Sequence, residues 1–106
     1  MRAMTTAALL FFAVAPAAAQ SLPGDVAAGR ALATRVCAAC HVVTERQAWP
    51  SSDAVPTFAS IARNPGTTEI GLRAFLLTPH LRMPNIELSR RETDDVISYI
   101  LSLKRR

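Results

Sequence analysis

Very little in this 106-residue chain could staple a small fold by covalent means. Its two cysteines, Cys37 and Cys40, are separated by only two residues. A disulfide between them would close too small a loop to stabilise much and would be strained. Histidine is as scarce, at His41 and His80. A closed structural zinc centre needs four ligands, so these four side chains would be the entire supply, with adjacent Cys40 and His41 poorly placed to share one ion. No dense group of acids, bases and nucleophiles accompanies them, which speaks against catalysis. No segment alternates polar and apolar residues in the manner of a half-buried strand, and past residue 19 there is neither internal repeat nor low-complexity stretch. The one conspicuous apolar run, Ala7–Ala15, is well short of the roughly 20 residues that cross a bilayer.

That run has the context of a leader. Arg2 precedes it, Pro16 breaks it, and Ala17, Ala18 and Ala19 follow. A charged start, a short apolar centre and an A-x-A end make a secretory signal. Residues 1–19 are therefore expected to be cleaved, leaving one domain over residues 20–106, exported to the periplasm with no stable membrane span. Losing Arg2 leaves eleven basic against eight acidic residues, a net charge of +3. A domain this small buries a modest fraction of its surface and usually needs disulfides, a metal or a cofactor. With so few cysteines, the staple is expected to be something the two cysteines hold.

Helical signals dominate what remains. Asp25 is placed to cap an alanine-rich helix over Val26–Val36, with Gly29 inside it. Glycine there costs about 1 kcal/mol relative to alanine, which makes sense if another helix crosses closely at that point. Trp49–Pro56 has too many turn formers for a helix or paired strand. Phe58–Arg63 is expected as a short helix ended by Asn64-Pro65-Gly66. Thr67 or Thr68 caps the next, which puts Leu72, Phe75 and Leu76 on one face and stops at Pro79. Thr78–Glu87 is loop. Ser89 and Glu92 form a capping box for a last helix with Val96, Ile100 and Leu103 as its apolar stripe, widened by Ile97 and Tyr99. Lys104, Arg105 and Arg106 are expected to finish it where the dipole favours cations. The fold class is all-α: three main helices and a short fourth. The long loops are unusual in so small a domain unless they wrap a cofactor.

Cys37-Ala38-Ala39-Cys40-His41 is a C-x-x-C-H sequence, the attachment motif of c-type haem. Thiols at i and i+3 of one helical turn point to the same side, so both reach the vinyl groups on one porphyrin edge. The histidine that follows supplies the proximal imidazole. A thioredoxin-like pair also uses C-x-x-C, but after a β-strand, and the residues upstream here are helical. The expected cofactor is one covalently bound haem c. Met83 is the sole methionine outside the leader and stands in the loop Leu81-Arg82-Met83-Pro84-Asn85. A lone methionine is commonly a core filler, but the loop setting favours it as sixth ligand; His80, otherwise a solvated loop residue, is the rival. A thioether ligand raises the reduction potential and closes the sixth position, which suits electron carriage.

With these residues in place, the chain resembles the class I bacterial c-type cytochromes, small monohaem proteins, over nearly all of residues 20–106. The residues that carry the resemblance are Gly24-Asp25 and Gly29, the C-x-x-C-H motif, Thr78–Pro84 and Tyr99. The resemblance implies a cytochrome c fold wrapped around the haem, with Tyr99 crossing the Gly29 face. It also implies that a proline after the haem histidine lends its carbonyl to the other ring nitrogen, and Pro56 is the candidate. The chain departs from the family at Ala33, where an aromatic is expected on the haem side of the first helix, and in a shorter region between proline and methionine than in mitochondrial relatives. Trp49 and Arg63 are candidates to reach a haem propionate, without a motif for either; a core lid and a surface residue are equal alternatives.

The function expected is a periplasmic monohaem electron carrier between a dehydrogenase or quinol-oxidising complex and an oxidase or reductase. It would act as a monomer or as the small cytochrome subunit of a dehydrogenase. Arg73, Arg82, Arg90 and Arg91 are expected near the haem side, facing redox partner proteins with acidic docking surfaces rather than nucleic acid. The alternatives are a haem enzyme or gas sensor with a labile sixth ligand, and a thiol oxidoreductase. If the core is built around the cofactor, replacing both Cys37 and Cys40 by serine will leave little stable protein. Recovery of a well-folded, haem-free double mutant in quantity would contradict this.

Overall fold

The computed structural model describes residues 13, 21–48, 54–79 and 82–105. Four α-helices follow one another: α1 Val26–Val36, α2 Phe58–Arg63, α3 Glu69–Leu77 and α4 Arg90–Ser102. No strand occurs among the described residues, so the protein is all-α. The proposed leader, Trp49 to Asp53 and His80 lie outside the described residues, Ala13 apart.

Each helix starts where a short polar side chain meets an orphan amide. Asp25 accepts from the Ala28 N–H at 2.7 Å, Thr57 from Ser60 at 3.0 Å and Thr68 from Gly71 at 3.0 Å. Of the two threonines that could cap α3, Thr68 does so; the Thr67 hydroxyl donates to the Ile61 carbonyl at 2.6 Å and ties α2 to α3. The capping box of α4 is complete: the Glu92 N–H donates to Ser89 Oγ and the Ser89 N–H to Glu92 Oε2. The Ser89 N–H also holds the Glu92 carboxyl below the usual carboxylate range.

The far end of α4 departs from expectation. The α-helix stops at Ser102 and the basic residues Lys104 and Arg105 lie in a 3-10 turn, Leu103–Arg105. The cause is local: the Leu103 N–H bonds the Ile100 carbonyl, tightening the last turn around otherwise orphan acceptors. Leu103 still packs on the core as its place in the stripe requires.

The core is thin and organised by α4, whose Val96, Ile97, Tyr99 and Ile100 are all buried. α1 lies across it at Gly29. A Cβ there would sit 1.9 Å from the Asp95 carbonyl oxygen and 2.9 Å from Tyr99 Cβ. The lead-in is pinned to the same stretch: the Gly24 N–H donates to Ser98 Oγ at 2.7 Å and the Asp25 N–H to Asp95 Oδ1 at 2.8 Å. Both hydrogen bonds fix α1 along α4 as well as against it.

The crossing predicts the behaviour of Gly29→Ala. Alanine would return about 1 kcal/mol of helix propensity, but its methyl group meets backbone, which cannot swing aside. Overpacking of this kind costs about 1–3 kcal/mol, so the denaturation midpoint of the variant is expected to fall. An unchanged or raised midpoint would contradict the close crossing.

Candidate functional site

α1 does not end abruptly at Val36. The Cys37 and Ala38 N–H groups both donate to the Ala33 carbonyl, at 2.8 and 3.0 Å, and the Cys37 carbonyl accepts from Cys40 at 3.1 Å and His41 at 2.8 Å. One further helical turn thus carries the C-x-x-C-H motif and sets the cysteines at i and i+3 on it. Cys37 is half-buried and Cys40 exposed. Burial pushes the Cys37 thiol above its ordinary value, opposite to the depressed thiol of a redox-active C-x-x-C pair.

His41 follows on the same turn, and its ring is held from across the site. Nδ1 lies 2.6 Å from the Pro56 carbonyl oxygen. A carbonyl can only accept, so Nδ1 carries a proton, which in the neutral imidazole leaves the lone pair on Nε2. A metal-ligating histidine is oriented in this way. The ring also rests against Phe58, with centroids 5.4 Å apart, and Phe58 in turn against Tyr99 at 6.2 Å.

The backbone after His41 has no regular structure, so its polar groups must be satisfied from elsewhere. The Phe58 N–H donates to the Val42 carbonyl at 3.0 Å, and the buried Tyr99 hydroxyl donates to the Val43 carbonyl. Two more groups, the His41 carbonyl and the Val43 N–H, are met by Gln47, a residue that no motif or periodicity singles out.

His41 and Phe58 border an open cavity of about 900 Å³. Its walls are mostly apolar: Leu32 and Val36 from α1, Ile61 from α2, Leu72, Phe75 and Leu76 from α3, Val96 and Ile100 from α4. Cys37, Cys40, His41, Pro56 and Met83 all line it. The size matches pockets for cofactor-sized ligands, about 300–1,000 Å³. An apolar hollow with two thiols, an imidazole and a thioether on its walls fits a haem tethered through its edge.

Other expectations are corrected. Ala33 does not face this cavity; it is fully buried, and Leu32 and Val36 supply the α1 wall. The helix turns about 100° per residue, so the position four after Gly29 shares the face that meets α4, and a small side chain suits that crossing. Arg73 does not line the cavity; it pairs with Asp94 of α4 at 2.6 Å and with Glu69 at 3.3 Å. Arg90 and Arg91 start α4 and do not line the cavity, so of the four arginines expected near it only Arg82 does. Arg63 is exposed and away from its walls. Trp49 and His80 lie outside the described residues.

Residues 26–104 match the cytochrome c family model, and the chain belongs to the cytochrome c family. It is 47% identical over 95 residues to cytochrome c-552 of Bradyrhizobium diazoefficiens, covering 90% of each chain. No solved structure matches it significantly. Family membership makes the chain an electron-transfer protein carrying covalently bound haem c, one per chain in a small cytochrome of this kind. No helix among the described residues is long and apolar enough to cross a membrane.

The Tyr99 hydroxyl offers a test of the scaffold behind His41. Tyr99→Phe keeps the ring against Phe58 but takes that donor from the buried Val43 carbonyl. Leaving a buried acceptor short costs about 1–3 kcal/mol, which denaturant unfolding of the haem-loaded protein should report as a lower midpoint. Wild-type stability in the variant would show that the bond contributes nothing.

Proposed function

We propose that Cys37 and Cys40 carry the thioether links to the haem, that His41 Nε2 and Met83 Sδ are its two axial ligands, and that Pro56 orients His41 through its carbonyl. The observation that carries this reading is the 2.6 Å contact between His41 Nδ1 and the Pro56 oxygen, on the wall of a cavity that both cysteines and Met83 share. Bound there, the haem supplies a one-electron ferric/ferrous couple. The protein's part is to hold the ligands still. His41 is fixed by backbone and ring, the apolar walls exclude water, and Met83 would supply the iron with a second, soft donor that favours the reduced state. Little needs to rearrange when one electron enters or leaves, which is the behaviour of a carrier rather than an enzyme.

The carrier acts in the periplasm, exported by residues 1–19 and cut after Ala19. It passes single electrons from a dehydrogenase or quinol-oxidising complex to an oxidase or reductase, as a monomer or as the cytochrome subunit of a dehydrogenase. The net charge of +3 and the exposed Arg82 beside the cavity favour partners with acidic docking faces. Such steering weakens beyond about 8–10 Å at physiological salt.

Met83→Ala tests the ligand set. The variant should retain covalent haem, show a lower reduction potential, and bind carbon monoxide when ferrous, whereas the wild type should resist it at neutral pH. An unchanged potential with no gain in carbon monoxide binding would end the assignment of Met83. Ready binding by the wild type would instead identify a haem enzyme or gas sensor with a labile sixth ligand.

A further inference from the structure

We propose that Gln47 is the positioning residue for the His41 imidazole, an inference that rests on His41 being an iron ligand. Its carboxamide makes three hydrogen bonds, all to backbone around the C-x-x-C-H turn. Nε2 donates to the His41 carbonyl at 2.7 Å and to the Ala38 carbonyl at 3.1 Å, and Oε1 accepts from the Val43 N–H at 2.9 Å. The Gln47 N–H donates to the Thr44 carbonyl at 3.3 Å, so a tight turn folds the side chain back under the residues it holds. The chemistry requires an amide. Two acceptors and one donor converge on this point, and among uncharged side chains of this reach only a carboxamide presents two donors and an acceptor together. A flipped amide would set its oxygen against two carbonyls, so the orientation is determined by the partners.

The consequence for His41 follows from where the contacts fall. The Pro56 carbonyl holds the far edge of the ring, through Nδ1. Gln47 holds the backbone from which the ring hangs, bracing the carbonyl of His41 itself and the amide two residues on. With the ring tethered at one end only, the imidazole can pivot about the Pro56 contact. With both held, it has one orientation. Gln47 touches neither the ring nor the ligand atom, so it acts through His41 and not on the iron.

Two variants separate this role from simple bracing. Gln47→Leu keeps most of the volume and removes all three bonds. Gln47→Glu keeps the shape and the bond from the Val43 N–H, but an ionised carboxylate cannot donate to the two carbonyls and repels them. The haem-loaded proteins are compared by paramagnetic NMR of the axial-imidazole protons in the ferric state, by reduction potential, and by exchange of the Val43 amide hydrogen. In Gln47→Leu, Val43 exchange is expected to quicken by roughly tenfold, about the net worth of one hydrogen bond. Both variants should show moved or split imidazole signals and a changed potential. Gln47→Glu should do so with Val43 protection nearer the wild type, so that the loss of the two carbonyl bonds is read on its own, including where Gln47→Leu fails to accumulate. Imidazole signals and potential that match the wild type in the variants overturn the proposal, whatever happens to Val43. A wild-type protein with no hyperfine-shifted His41 ring signals would overturn the underlying ligand assignment as well, an outcome distinguishable because it needs no variant.

Discussion

At the point where α1 lies on α4, the backbones approach so closely that no side chain fits between them, with Gly29 against the Asp95 carbonyl. This contact determines where the C-terminal end of α1 comes to rest. The C-x-x-C-H turn is a continuation of that helix, bonded to it through the Ala33 carbonyl, so the cysteines are aimed by a crossing more than two helical turns away. The same stretch of α4 supplies Tyr99, which supports both Phe58 and the Val43 carbonyl behind His41. One packing constraint thus serves scaffold and site together.

A second theme is how little protein core there is. The fully buried side chains cluster along α4, while the cavity takes apolar side chains from all four helices. Phe75 is 52% exposed in the protein alone yet stands on the cavity wall. Such a surface is costly to leave in water, at about 25 cal/mol per Å². Covering it is where a haem would contribute stability, and a domain of this size, with no disulfide, benefits from that contribution. The long connections then have a physical reason, since their residues 54–56 and 82–86 line the hollow.

Much of this was legible before any coordinates. Helix starts could be read because capping is local: Asp25, Thr68 and the Ser89–Glu92 box each satisfy amides within three residues. The C-x-x-C-H motif was legible for the same reason, being confined to one turn. Gly29 announced a close crossing through its cost to the helix, and Pro56 emerged through family resemblance; its carbonyl lies 2.6 Å from His41 Nδ1. What could not be read depends on contacts between distant or irregular segments. The pairing of Arg73 with Asp94 could not be read, because it exists only once α3 lies beside α4. Ala33 looked like a missing haem contact until the helix phase showed it under α4. Gln47 sits in a loop without periodicity, and its three bonds exist only once the chain has turned back at Thr44.

On the proposed reading, a single turn of chain, Cys37 to His41, tethers the cofactor. Tryptic digestion tests it most directly, because cleavage after Arg35 and Arg46 releases Val36–Arg46 with both cysteines and His41 inside. In protein from a host able to attach haem, that peptide is predicted to carry the mass of one haem and to leave no thiol for alkylation. A colourless protein whose peptide takes up two alkyl groups instead would contradict the account.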